Sequence, residues 1–160
     1  MRVIEKEVFT YEELSDSAKH EAKQWWVGNG VEYCWWDDSK SSIEAFCKHF
    51  GVKIINYDIG AFSYSWMKTN ADNSHFRGLK LKDFDPDHMP TGYYLDSTLW
   101  SAFYKGWKFT GSPLTAFNDA IDEAIQDIRA DWEYQHSDEA VEEMLIINEY
   151  EFTEDGKRYI

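Results

Sequence analysis

"SPLTAFNDAIDEAIQDIRADWEYQ", residues 112–135, decides how the chain folds. Phe117, Ile121, Ala124, Ile125 and Ile128 recur at spacings of three and four, the period of a helix with one buried face. Ser112 is placed to cap that helix. Pro113 falls at its first position, where a missing N–H costs nothing. A long amphipathic helix needs partners for its apolar face, and the rest of the chain supplies them. "SDEAVEEMLIIN" (137–148) reads as a helix capped by Ser137, with Val141, Met144 and Leu145 inward. "DSTLWSAFYKG" (96–106) reads as a short helix just upstream.

Working outward, "LSDSAKHEAKQWW" (14–26) is a helix with Ser15 as cap, ended by Gly28-Asn29-Gly30. "WWDDSKSSIEAFCKHFG" (35–51) is another. Asp37 or Asp38 caps it, Ile43, Phe46, Cys47 and Phe50 form its apolar stripe, and Gly51 closes it. Strand signals are fewer. "RVIEKEVFTY" (2–11) has β-branched and aromatic residues at both ends, and "VKIINYDIGAFSYSWMKT" (52–69) reads as a hairpin turning near Asp58-Ile59-Gly60. "NEYEFTEDGKRYI" (148–160) closes as a hairpin around Asp155-Gly156. Residues 70–92 hold two of the three prolines and no sustained period, the mark of a functional or mobile loop. The expected fold is α+β, one domain over residues 1–160. Its helices pack on a small antiparallel sheet formed by the terminal strands and a central hairpin.

Charge narrows the function classes. The net charge is −14, and residues 109–160 hold 14 acids against 3 bases. Between Asp119 and Asp155 the only Lys or Arg is Arg129. Such a surface repels phosphate, so direct nucleic-acid binding is not expected, and a basic protein surface is attracted. The charged start and the absence of a long apolar run suit a cytoplasmic protein with free thiols at Cys34 and Cys47, not a membrane protein.

Three stretches carry a family likeness: "VFTYEELSDSAKHEA" (8–22), "EYCWWDD" (32–38) and "SDEAVEEMLIINEYEFTEDGKR" (137–158). Together they resemble a family of small acidic proteins encoded by phages, prophages and other mobile elements. Members share an "ELSDxAKxxA" helix, a "YxWWD" segment and a terminal "NEYxFTxDG" hairpin. Some are labelled antitoxins of a toxin–antitoxin stability system. The resemblance covers roughly residues 1–50 and 130–158, and it implies a mobile-element context without an established chemistry.

Four groups of residues are candidates for a site. The acids Asp119, Asp122, Glu123, Asp127 and Asp131, followed by Glu139, Glu142 and Glu143, fall largely outside the apolar stripes of their helices. Carboxylates at i and i+4 lie about 6 Å apart, of the order of the phosphate spacing along a strand. This set is the candidate partner-binding surface. The tryptophan pairs Trp25/Trp26 and Trp35/Trp36 read as scaffold, because neighbours on a helix point about 100° apart and one of each pair faces the core. Phe62, Tyr64 and Trp66, with Tyr93, Tyr94, Trp100, Phe103, Tyr104 and Trp107, read as core. Asp85, Asp87 and His88 are oxygen and nitrogen donors too close in sequence to converge on a metal.

No phosphate loop, nucleophile elbow or zinc-protease motif is present, so no catalytic residue, metal or cofactor is expected. The expected function is that of a non-enzymatic inhibitor of anti-CRISPR or anti-restriction type. Such a protein binds a basic host or defence protein through an acidic surface that imitates nucleic acid. The alternative is an antitoxin-like regulatory protein with a dedicated protein partner.

Overall fold

The computed structural model describes residues 1–30, 35–59 and 64–159, with the backbone alone at positions 29, 30, 35 and 36. In chain order the elements are β1 (Phe9–Thr10), α1 (Asp16–Trp25), α2 (Trp35–His49), β2 (Ile54–Asp58), β3 (Trp66–Thr69), α3 (Tyr94–Thr110), α4 (Pro113–Gln135), α5 (Asp138–Ile147) and β4 (Glu151–Phe152). The fold is α+β. Contacts divide the chain into two compact units. Unit 1 is Met1–Tyr33 with Glu133–Ile160, and unit 2 is Cys34–Trp132.

In unit 1, Ser15 caps α1 by accepting from the Ala18 N–H at 3.3 Å, and Ser137 caps α5 the same way through Ala140 at 3.3 Å. These caps satisfy N–H groups that a helix start leaves open. The apolar face of α1, Leu14, Ala18, Ala22 and Trp26, meets Val141 and Leu145 of α5, with Tyr11 and Phe152 completing the core. β1 pairs antiparallel with β4, Phe9 opposite Phe152 and Thr10 opposite Glu151. The chain then turns at Gly156 and returns beside β4, where Arg158 bridges to Phe152.

In unit 2, the stripe of α2 (Ile43, Phe46, Cys47, Phe50) is buried against α3 and α4. Phe46 stacks on Phe117 with ring centroids 5.1 Å apart and planes 8° from parallel. Trp100 and Phe103 of α3 stand edge-on to Phe46 at 5.3 and 5.9 Å. Each fully buried aromatic of this kind stabilises the fold by roughly 1.5–3 kcal/mol. β2 and β3 pair antiparallel, Tyr57 opposite Met67 and Asp58 opposite Trp66, with an irregularity between Ile54 and Asn56.

Several local expectations are revised. The terminal strands and the central hairpin form two separate two-stranded sheets among the described residues, not one. The N-terminal strand shrinks to Phe9–Thr10, because β4 offers only two residues to pair with, and Val3 and Ile4 stay exposed. α1 does not break at Gly28-Asn29-Gly30 but runs on as a wide π turn through Gly30. α2 begins at Trp35, so Asp37 and Asp38 lie in its first turn, where acids favour the helix dipole, rather than at the cap. α3 extends to seventeen residues and ends on the left-handed Gly111. The loop 70–92 contains two 3-10 turns, Asn73–Phe76 and Leu81–Asp83, and is pinned to the core by Phe76 and Phe84. The turn at residues 60–63 lies outside the described residues.

Candidate protein-binding surface

The surface is built on α4. Ala116, Phe117, Ala120, Ile121, Ala124, Ile125 and Ile128 bury one side of this helix, which leaves the positions between them to face water. Asp119, Asp122 and Glu123 are exposed, and among the described residues none of them forms an ion pair. Burial, and then the charge of Asp119, raise the Asp122 carboxyl above its ordinary value. The helix therefore holds like charges close together at a cost, which a cationic partner would relieve.

Beside these acids runs a recess of about 370 Å³ between α3 and α4, with Asp119 and Glu123 on one wall and Lys105 and Phe109 on the other. Gly106 lets the two helices come close, since a Cβ there would sit 3.2 Å from the Ala116 Cβ. Phe109 is 91% exposed, an aromatic ring set at the edge of an acidic face. It was not among the sequence candidates. Its signal is spacing: six residues beyond Phe103, it points about 120° away from that core residue.

Not all the predicted acids belong to this surface. Asp127 is half-buried and accepts the Thr98 hydroxyl at 2.7 Å, so it ties α3 to α4 instead of facing solvent. Asp131 is also half-buried. The Tyr94 hydroxyl has its pKa raised by burial first, then by the charges of Asp131, Tyr93 and Asp127. Glu139, Glu142 and Glu143 lie on α5 in unit 1 and make a set of their own. Glu139 and Glu143 are exposed, while Glu142 is half-buried with Lys23 Nζ at 3.9 Å.

The aromatic groups divide. Trp26 is 8% exposed in the core of unit 1. Trp25 packs edge-on to Tyr150 at 5.4 Å and to Phe152 at 6.3 Å. The first Trp pair is scaffold. The side chains of Trp35 and Trp36 lie outside the described residues, as do Cys34 and Phe62. Trp100 and Phe103 are core, but Tyr64 is 83% exposed and Trp66 and Tyr94 are exposed as well. Trp66 opens β3, whose residues alternate between exposed and half-buried, and Tyr94 opens α3.

Asp85 accepts the Asp87 N–H at 2.9 Å in a local turn, and His88 lies against Trp100, 4.7 Å between ring centroids. Among the described residues no group of three or more His, Cys, Asp or Glu is placed to hold a metal ion. Cys47 is buried, and burial, aided by Glu44, pushes its thiol up to about 12, a poor nucleophile at neutral pH. Among the described residues no helix is long and apolar enough to cross a membrane. The chain matches no protein-family model, no curated protein and no solved structure.

Proposed function

We propose that the chain is a non-enzymatic inhibitor that holds a basic surface of a host or defence protein against the acidic face of α4. The single observation behind this reading is the run Asp119, Asp122 and Glu123, exposed, without ion pairs among the described residues, and flanked by the exposed ring of Phe109. Carboxylates steer a basic partner into place, and an aromatic at the edge of the patch supplies apolar contact and stacks on guanidinium groups. The resemblance to proteins of phages and mobile elements supports a target among defence proteins. Phosphate-like spacing supports occupation of a nucleic-acid groove.

Affinity capture from a bacterial lysate tests this, run side by side with the wild type and the Asp119→Lys/Asp122→Lys/Glu123→Lys variant. The wild type is expected to retain a basic protein that duplex DNA displaces and that elutes as salt shortens the Debye length below about 8 Å. Identical captured proteins from both baits would overturn the reading. Capture that depends on the three acids but resists DNA favours the antitoxin-like alternative.

A further inference from the structure

The end of the long loop, residues 84–92, is fastened at two points. Phe84 stacks on Trp100 at 5.4 Å between ring centroids and tilts against Phe103 at 5.0 Å. The Thr91 and Gly92 N–H groups donate to the buried Asp96 carboxylate. Between these anchors, residues 85–90 make no backbone–backbone hydrogen bond among the described residues, and the bond from the Asp87 N–H to Asp85 stays inside the stretch. In the middle of it His88 rests on the helices. Its ring lies 4.7 Å from Trp100 and 6.1 Å from His49, and His49 lies 4.7 Å from the same Trp100 ring.

We propose that His49 and His88 form a proton-operated clasp: neutral, they hold residues 85–90 on Trp100, and charged, they release them. Trp100 can accommodate one imidazolium by cation–π attraction, but the second ring then meets a like charge 6.1 Å away. Among the described residues no carboxylate forms an ion pair with either ring. The charged and titratable groups on the elements that meet here do not supply one. On α3, Asp96 is committed to Thr91 and Gly92, and Tyr104 stacks on Phe84. On the loop, Asp85 accepts from the Asp87 N–H, and on α2 the neighbouring Lys48 adds positive charge. The residue His49 is exposed overall, yet its ring packs on Phe50 at 4.9 Å as well as on Trp100. That desolvation, and then His88, lower its pKa from the ordinary value. The clasped form therefore binds protons less readily than the released one. Its advantage is complete above the ordinary imidazole value of 6.5 and is lost as pH falls through the lowered value of His49. The clasp does not depend on the acidic face of α4.

NMR of the full chain, with isotope-labelled histidine, tryptophan and phenylalanine, tests this between pH 8 and pH 5. The nuclear Overhauser contact between the His88 and Trp100 rings is expected at pH 8 and lost at pH 5, while the Phe46–Phe117 and Phe84–Trp100 contacts persist. In His49→Gln, which removes one of the two charges, the His88–Trp100 contact is expected to survive at pH 5. In His88→Gln the titration midpoint of His49 is expected to rise toward 6.5. Three outcomes would overturn the proposal: a wild-type His88–Trp100 contact that survives at pH 5, an equal loss in His49→Gln, or a loss that comes together with that of Phe46–Phe117, which is acid unfolding of the core.

Discussion

Gly156 packs so tightly on Ala18 that a Cβ at position 156 would fall 2.1 Å from the Ala18 carbonyl oxygen. Its φ of +84° adds a second reason for glycine. This contact seats the closing turn on the first turn of α1. Gly156→Ala is expected to cost roughly 3–5 kcal/mol, since neither backbone can retreat. Gly111→Ala is the internal control. Its φ is +71° but nothing lies within 4 Å of the added Cβ, so strain alone acts, about 1–2 kcal/mol. Equal losses for the two variants in urea melts would refute the steric argument.

Trp26 and Arg158 hold the same closing segment from two sides. Trp26 is buried, 5.8 Å from the Tyr150 ring, and Arg158 stacks on that ring while facing Trp25 at 5.9 Å. Trp26→Ala should cost roughly 3–5 kcal/mol as a large core truncation. Arg158→Ala should cost about 1 kcal/mol, and Arg158→Lys should not fully restore it, because an ammonium loses the planar stacking. Full rescue by lysine would mean that charge alone matters there.

How far the sequence spoke depended on the range of the interaction. Ser15, Ser137, the stripe of α2 and the buried face of α4 are local matters of capping and period, and they stand where the spacing placed them. The N-terminal strand failed because strand length depends on a distant partner, and β4 is short. Within the site, Asp119, Asp122 and Glu123 were legible as residues off the stripe. Asp127 looked the same by period, but its fate was decided by Thr98, 29 positions away. Phe109 was missed because the helix around it was read as ending at Gly106, so no helical period was applied to the three residues that follow.

Asp96 was also beyond local reading. It is fully buried at the start of α3 and accepts from the Thr91 N–H at 2.9 Å, the Thr91 hydroxyl at 2.8 Å and the Gly92 N–H at 3.0 Å. The Thr91 hydroxyl in turn lies 3.1 Å from that of Ser42, so the network links the end of the loop to α2. Asp96→Ala should cost about 3 kcal/mol, by removing the acceptor of three hydrogen bonds, and Asp96→Asn about 1–2 kcal/mol, because one acceptor remains. Chemical denaturation would measure both, and comparable losses would show that the volume of the side chain matters more than its oxygens.

Cys47 should resist alkylation. With its thiol pushed up to about 12 and 2% exposed, the thiolate is scarce at pH 8. Its fraction rises about tenfold per pH unit below that value. Peptide mapping after iodoacetamide should find Cys47 unmodified in the native protein at pH 8 and modified in urea. Rapid native labelling would contradict both the burial and the raised pKa.

The acids of α4 give a signature in stability as well as in binding. The Asp122 carboxyl is raised by burial and by Asp119, so the folded protein holds that proton more firmly than the unfolded chain. The linkage sign follows: stability from this group is present at pH below the ordinary carboxylate value and is lost as pH rises through the raised value. At pH 7 the ionised Asp122 is therefore a net burden, softened by its exposure to solvent. Asp122→Asn should raise the urea midpoint at pH 7, and the gain should vanish near pH 3, where the carboxyl is protonated in both states. Asp127→Asn should show no such gain, since its carboxylate accepts the Thr98 hydroxyl. A fold that tolerates ionised Asp122 at neutral pH gives up stability for surface charge, the trade that the proposed binding role of α4 calls for. If Asp122→Asn proves neutral or destabilising at pH 7, that conflict is absent, and the acids of α4 are an ordinary solvated helix face.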